Sequence, residues 1–248
     1  MTYNFTVSPD FNPNHLSGWF IFNTWLQKSI NEGIHLELYD DFDSQRQAIS
    51  NDKFDLIYAN PYDASLLVRQ KGFVPLASPH NKSDEAIIAV RADSPVRQVE
   101  DLKPGTRISS TDDPDVNMMC MIMLEPADLN AENTIVKQSD TYVIVAKDLI
   151  TDQADVGFFL EETYNDLSNV IRSQLRPLVQ SQIQVINHVL LAGPGLAHRR
   201  EEMQAALREM DQNDKGKGVL DSSGIKGWSM VDQEETEFMI DLMDTLET

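Results

Sequence analysis

Phe54-Asp55-Leu56-Ile57-Tyr58-Ala59-Asn60-Pro61-Tyr62-Asp63-Ala64 is an apolar run that ends in a polar, proline-containing turn. From Asp63 to Arg69 the chain then reads as a helix. Strand, tight turn and helix in that order place polar side chains at the carboxyl end of a parallel strand, where α/β folds bind ligands. Asn60 and Tyr62 are therefore the first candidate binding residues.

The same grammar extends on both sides. Tyr3–Val7 alternates as a strand, and Ser8–Asn14 is rich in turn formers. A helix is predicted over His15–Asn31, with Leu16, Trp19, Phe20, Phe22, Trp25, Leu26 and Ile30 on its apolar face and Gly33 at its end. Ile34–Tyr39 alternates again, and Ser44–Asn51 is a short helix. Gly72 closes the helix after the opening stretch, and Phe73–Ala77 is a further strand. This βαβαβαβ series predicts a parallel sheet with helices on its faces.

Glu85–Arg91 is a buried-type strand, after which the pattern restarts. Strands are predicted at Thr106–Ser110, Thr134–Val136 and Ala154–Leu160, with helices over Val116–Leu124, Thr141–Thr151 and Glu161–Leu175. Leu178–Leu191 reads as one or two strands running back. Helices over Arg199–Met210 and Asp232–Leu246 flank a Gly- and charge-rich loop, Asp211–Gly218. Two α/β units with two crossings between them predict two lobes: residues 1–85 with 188–248, and residues 86–187. Such lobes are expected to face each other across a hinged cleft.

In order and spacing, a set of short motifs resembles the phosphate/phosphite/phosphonate-binding-protein-like family of the type II periplasmic-binding-protein fold. They are Trp25-Leu26 with Gly33, Lys53-Phe54-Asp55-Leu56, Asn60-Pro61, and Gly72-Phe73-Val74-Pro75-Leu76-Ala77. Val99-Glu100-Asp101-Leu102-Lys103-Pro104-Gly105, Gln153-Ala154-Asp155-Val156-Gly157 and Gly193-Pro194-Gly195-Leu196 complete the series. The resemblance implies two lobes, each a mostly parallel sheet flanked by helices, and a small oxyanion-like ligand bound between them.

The chain departs from the family where the chemistry is expected. The family turn Ser-Thr-Ser-Gly, which opens a helix and suits an anion, is replaced by Asp115-Val116-Asn117-Met118-Met119-Cys120. Thr111 and Asn117 remain there as side-chain donors. A Ser-His-Asp at the next helix start becomes Thr141-Tyr142-Val143, putting Tyr142 in place of the histidine. The Tyr that follows Gly-Pro by two residues in the family here directly follows Pro61, and Asn60 stands for the Gly. The implied ligand set is Asp10, Phe42, Asn60, Tyr62, Thr111, Asn117, Tyr142, Glu161 and His188, and the expected ligand is a small polar or anionic molecule, with phosphate and phosphonate left open by the lost Ser-Thr-Ser-Gly loop. Glu161 enters because it follows a strand's carboxyl end, and His188 because it lies on the second crossing.

Composition narrows the functional classes. A formal charge of −20 and a pI near 4.4 oppose nucleic acid or an anionic membrane as partner. One cysteine, Cys120, excludes an internal disulfide. Met118, Met119, Met121 and Met123 around it raise a soft-metal reading, but helical spacing turns Met119, Met123 and Cys120 toward a core. No metal site is expected, since His15, His35, His80, His188 and His198 lack ligand spacing. No catalytic residue and no cofactor is expected either, because nucleophile elbow, phosphate loop and dinucleotide fingerprint are all missing. Read from its first residue, the chain carries no leader and is expected in the cytoplasm, or in the periplasm if a leader has been removed. The leading expectation is a solute-binding protein, for ABC-type uptake through a permease or as a cytoplasmic sensor or carrier. Its rivals are an enzyme on the same two-lobed fold and a regulatory relative that has lost its ligand.

Overall fold

The computed structural model describes residues 2–246. The chain divides into two units, Met1–Ser83 with Val185–Thr245 and Asp84–Gln184. The division falls slightly before the positions expected from sequence, and Glu85 supplies a physical reason. Its buried carboxylate accepts hydrogen bonds from the Ser181 hydroxyl, the Ile183 amide (3.1 Å) and the Gln184 amide (2.7 Å), tying both crossings into the second unit.

In the first unit, β1 (Thr2–Val7), β2 (Gly33–Leu36), β3 (Leu56–Ala59) and β4 (Val74–Pro79) alternate with α1 (Leu16–Ile30), α2 (Phe42–Ser50) and α3 (Pro61–Lys71). Asn31, left-handed at φ 52°, ends α1, and Gly33 instead begins β2. Asn60 in extended backbone caps α3 and Pro61 opens it, which places the turn where the sequence puts it.

In the second unit, β5 (Ala86–Arg91) precedes β6 (Arg107–Ser110), α4 (Pro114–Met123), β7 (Ile135–Gln138), α5 (Tyr142–Ile150) and β8 (Val156–Leu160). The single helix predicted over Glu161–Leu175 is broken into α6 (Glu161–Asp166) and α7 (Asn169–Arg172). Ser168 restarts the helix by accepting from the Ile171 amide, and Leu175 is taken into β9 (Leu175–Gln180), where it pairs with Arg91.

The chain then returns as β10 (Val189–Ala192) and finishes with α8 (Arg200–Glu209), α9 (Asp214–Ser222), β11 (Trp228–Met230) and α10 (Gln233–Leu246). The loop predicted over Asp211–Gly218 is thus mostly the start of α9. Asn213 caps that helix through the Gly216 amide (2.8 Å). Gly216 is required because a Cβ there would stand 2.1 Å from the Met210 carbonyl oxygen.

Strand order is β11-β4-β10-β3-β1-β2 in the first unit and β7-β6-β8-β5-β9 in the second. In the first, β1 to β4 run one way, while β10 is inserted antiparallel between β3 and β4 and β11 pairs antiparallel at the edge. In the second, only β5 opposes the rest. Strand direction is mostly parallel, as expected, although the inserted strands make the ladders mixed.

The first unit's sheet is buried on both faces, as a sheet with helices on each side requires. Leu56, Tyr58, Leu190 and Ala192 join Phe5, Trp19, Phe22 and Trp228 on one face; Ile57, Ala59, Val189 and Leu191 join Leu67, Phe73 and Ile240 on the other. In the second unit Ile87, Ala89 and Phe159 pack with Val145, Leu149 and Tyr164. Met119 and Cys120 are buried in the same unit, and the Cys120 thiol lies 3.9 Å from the Ile87 carbonyl.

Candidate functional site

Polar side chains gather at the carboxyl ends of parallel strands in each unit. In the first, Ser8 follows β1 and Asn60 follows β3, joined by the Ser8 amide donating to the Tyr58 carbonyl (2.8 Å). Asn60 is fully buried. Its Oδ1 accepts from the Asp63 amide (2.7 Å), and its Nδ2 donates to Asp63 Oδ2 (3.1 Å) and Ser8 Oγ (3.3 Å). Asn60 therefore builds the turn as well as facing it.

Asp63 is in turn gripped by Arg46 of α2, Nε to Oδ1 at 2.7 Å and Nη2 to Oδ2 at 3.2 Å. The guanidinium lies 5.2 Å from the Phe42 ring centre and 5.0 Å from that of Tyr62. Both rings can attract the cation through their faces. Gln45, one residue before Arg46, holds α2 against β1 by donating to Thr6 Oγ1 (3.0 Å) and the Val7 carbonyl (2.8 Å). Phe42 is buried, whereas Tyr62 is exposed.

Asp10 and His188 meet directly. His188 Nε2 lies 3.0 Å from both carboxylate oxygens, and both side chains are buried. The His188 ring stacks on Tyr58, centroids 5.0 Å apart and planes 22° from parallel. Burial pushes the Asp10 carboxyl up, but the charge and hydrogen bond of His188, with a hydrogen bond from Ser8, leave it below the ordinary carboxylate range.

In the second unit the ends of β6 and β8 and the starts of α4, α5 and α6 form the corresponding surface. Asp113 caps α4, its Oδ1 accepting from the Val116 amide (3.2 Å). Its Oδ2 accepts from the Tyr142 hydroxyl (2.8 Å), which Thr141 positions by capping α5. The Asn117 amide group donates to the Thr111 carbonyl (2.9 Å), and Thr111 Oγ1 accepts from the Asp113 amide (3.4 Å). Asp115, in the first turn of α4, is buried. Glu161 opens α6, its amide donating to the Glu85 carbonyl (2.7 Å).

The expected residues thus fall into two groups. Asp10, Phe42, Asn60, Tyr62 and His188 gather in the first unit; Thr111, Asn117 and Tyr142 surround Asp113 in the second, with Glu161 at its own helix start. Sequence reading passed over Ser8, Arg46, Tyr58, Asp63 and Asp113. The sequence carries a signal for one of them: Asp113-Pro114 is a cap followed by a first-turn proline. Arg46 and Asp63 meet only through the placement of α2 beside α3.

The model of the family described as "ABC transporter, phosphonate, periplasmic substrate-binding protein" matches residues 5–236. No curated protein matches the chain. Among solved structures, the chain is similar to PhnD1 from Prochlorococcus marinus in complex with methylphosphonate, at 13% identity and a TM-score of 0.82, covering 99% of this chain and 98% of that one. A Xanthomonas citri protein bound to chloride ion gives 14% identity and a TM-score of 0.81, with 99% and 97% covered. A binding protein component of a Pseudomonas aeruginosa ABC phosphonate transporter gives 16% and 0.78, with 99% and 85% covered. At these identities the structural likeness establishes the type II periplasmic-binding-protein fold. Among the described residues no helix is long and apolar enough to cross a membrane. The match along nearly the whole chain decides the rest: this is a solute-binding protein, a member of the phosphonate-type periplasmic substrate-binding family of ABC transporters.

Proposed function

We propose that the protein binds one small polar solute without transforming it and presents it to an ABC permease, acting in the periplasm as its family does. Asp10, Phe42, Asn60, Tyr62 and His188 on the first unit, with Thr111, Asn117, Tyr142 and Glu161 on the second, would contribute to recognition. The observation carrying this reading is that hydrogen-bonded polar clusters occupy the carboxyl ends of the strands in both units, the place where open α/β sheets bind ligands. A solute favours whichever conformation offers it more contacts, and a permease can read that conformation.

The test is thermal unfolding of the purified protein against neutral polar, zwitterionic, cationic, carboxylate, sulfonate and phosphonate solutes, followed by calorimetry. A concentration-dependent rise in Tm with one-to-one stoichiometry supports the reading. Absence of any stabilising solute across the panel overturns it.

A further inference from the structure

We infer that the first unit carries a second small-molecule site, for an amphipathic organic cation, at the amino end of β3, opposite Asn60. A cavity of about 490 Å³ lies there, walled by Ile49, Phe54, Ile57 and Phe73. That volume falls within the range of roughly 300–1,000 Å³ typical of small-molecule sites. No residue of the proposed solute surface lines it.

Charge selects the ligand. Asp52, Asp55 and Lys71 also line the cavity. Lys71 is already engaged, its Nζ donating to Asp52 Oδ1 (2.5 Å) and to the Ser50 carbonyl (3.4 Å). Two carboxylates against one ammonium leave a single negative charge, and it falls to Asp55. Asp55 Oδ2 accepts from the Asn4 amide (2.9 Å), whereas Oδ1 takes no hydrogen bond among the described residues. Two helices also end here, with Ile49 in the last turn of α2 and Gln70 and Lys71 closing α3. Helix carboxyl ends carry partial negative charge. An ammonium can therefore donate a charge-assisted hydrogen bond to Asp55 Oδ1 while its carbon body packs against Phe54, Ile57 and Phe73. An anion of the same shape meets repulsion instead.

Calorimetry of the purified protein with phenethylamine, and with hydrocinnamate as its anionic counterpart, tests this. Phenethylamine is expected to bind, and hydrocinnamate to bind about tenfold or more weakly, the worth of one hydrogen bond between charged groups. Two variants locate the site. Asp55→Asn keeps an oxygen for the Asn4 amide but removes the charge, and Gln70→Trp, at an exposed lining residue, fills the cavity mouth. Each is expected to weaken phenethylamine about tenfold with an unchanged circular dichroism spectrum. Should Asp55→Asn fail to fold, Gln70→Trp decides. Absence of phenethylamine binding, equal affinity for hydrocinnamate, or a smaller loss in Gln70→Trp overturns the inference. Tyr142→Phe separates the cavity from the proposed solute surface. Loss of phenethylamine in Tyr142→Phe but not in Gln70→Trp moves the amine to that surface, so this inference falls and the solute-binding reading stands. Loss in Gln70→Trp but not in Tyr142→Phe supports the cavity site whatever the solute panel shows.

Discussion

His188 Nε2 and the Asp10 carboxylate, far apart in the chain, lie 3.0 Å from each other with both side chains buried. The contact joins the loop after β1 to the entry of β10, so it fixes the returning strand as well as the candidate binding surface. Tyr58 supplies a flat wall behind the imidazole.

Removing one partner of this pair leaves the other buried and uncompensated. His188→Phe, which can keep the stacking on Tyr58, is expected to cost about 3 kcal/mol in urea unfolding at pH 7, and adding Asp10→Asn should recover part of that loss. Full additivity of the two substitutions would show that the pair is not coupled.

The pair also sets an acid limit. The folded pKa of Asp10 is lowered, so its contribution is present above the unfolded carboxylate range and is lost as pH falls through the folded pKa. Stability of the wild type should therefore decline below about pH 4, where free carboxylates begin to protonate, and Asp10→Asn should flatten that decline. Urea midpoints measured from pH 3 to 7 give the comparison; parallel curves would contradict it.

Arg46→Met removes both bonds to Asp63 and the cation between the Phe42 and Tyr62 rings. Asp63 is nearly buried while Arg46 is 29% exposed, which softens the loss to about 2 kcal/mol. Arg46→Lys should restore little, since an ammonium cannot make the two-pronged contact. Chemical denaturation of both variants reads this directly.

Cys120 is fully buried, and burial pushes its thiol well above the ordinary range. The native protein should react with a thiol reagent only at the rate at which it opens, and at once in denaturant. Rapid stoichiometric labelling under native conditions would place the thiol elsewhere.

Gly18 on α1 approaches α9 so closely that a Cβ would stand 2.0 Å from the Ser222 carbonyl oxygen. Backbone cannot yield as a flexible side chain can, so Gly18→Ala is expected to destabilise by about 3 kcal/mol. An unchanged Tm would mean that α1 and α9 are not packed this way.

Much of this protein is legible in its sequence because local rules and burial agree. The Leu56–Ala59 strand, the Asn60-Pro61 turn and the helix after it follow from apolar pattern, capping chemistry and proline placement, all within a dozen residues. The same rules mislead where local polarity and long-range pairing conflict. Asp211–Gly218 reads as a loop because it is charged and glycine-containing, yet Asn213 caps a helix there and Gly216 admits the Met210 backbone. Leu175 reads as helical until β5 claims it.

By itself, then, the sequence determined the α/β grammar, the restart of the pattern after the first unit, and which turns stand at strand ends. It could not decide which charges neutralise which. Arg46 with Asp63, Asp10 with His188, and Asp113 with Tyr142 are contacts between separate elements, made by packing rather than by spacing. Because a buried charge is governed by its immediate partners, only the tertiary structure shows that the carboxylate capping α4 also accepts from the Tyr142 hydroxyl of α5.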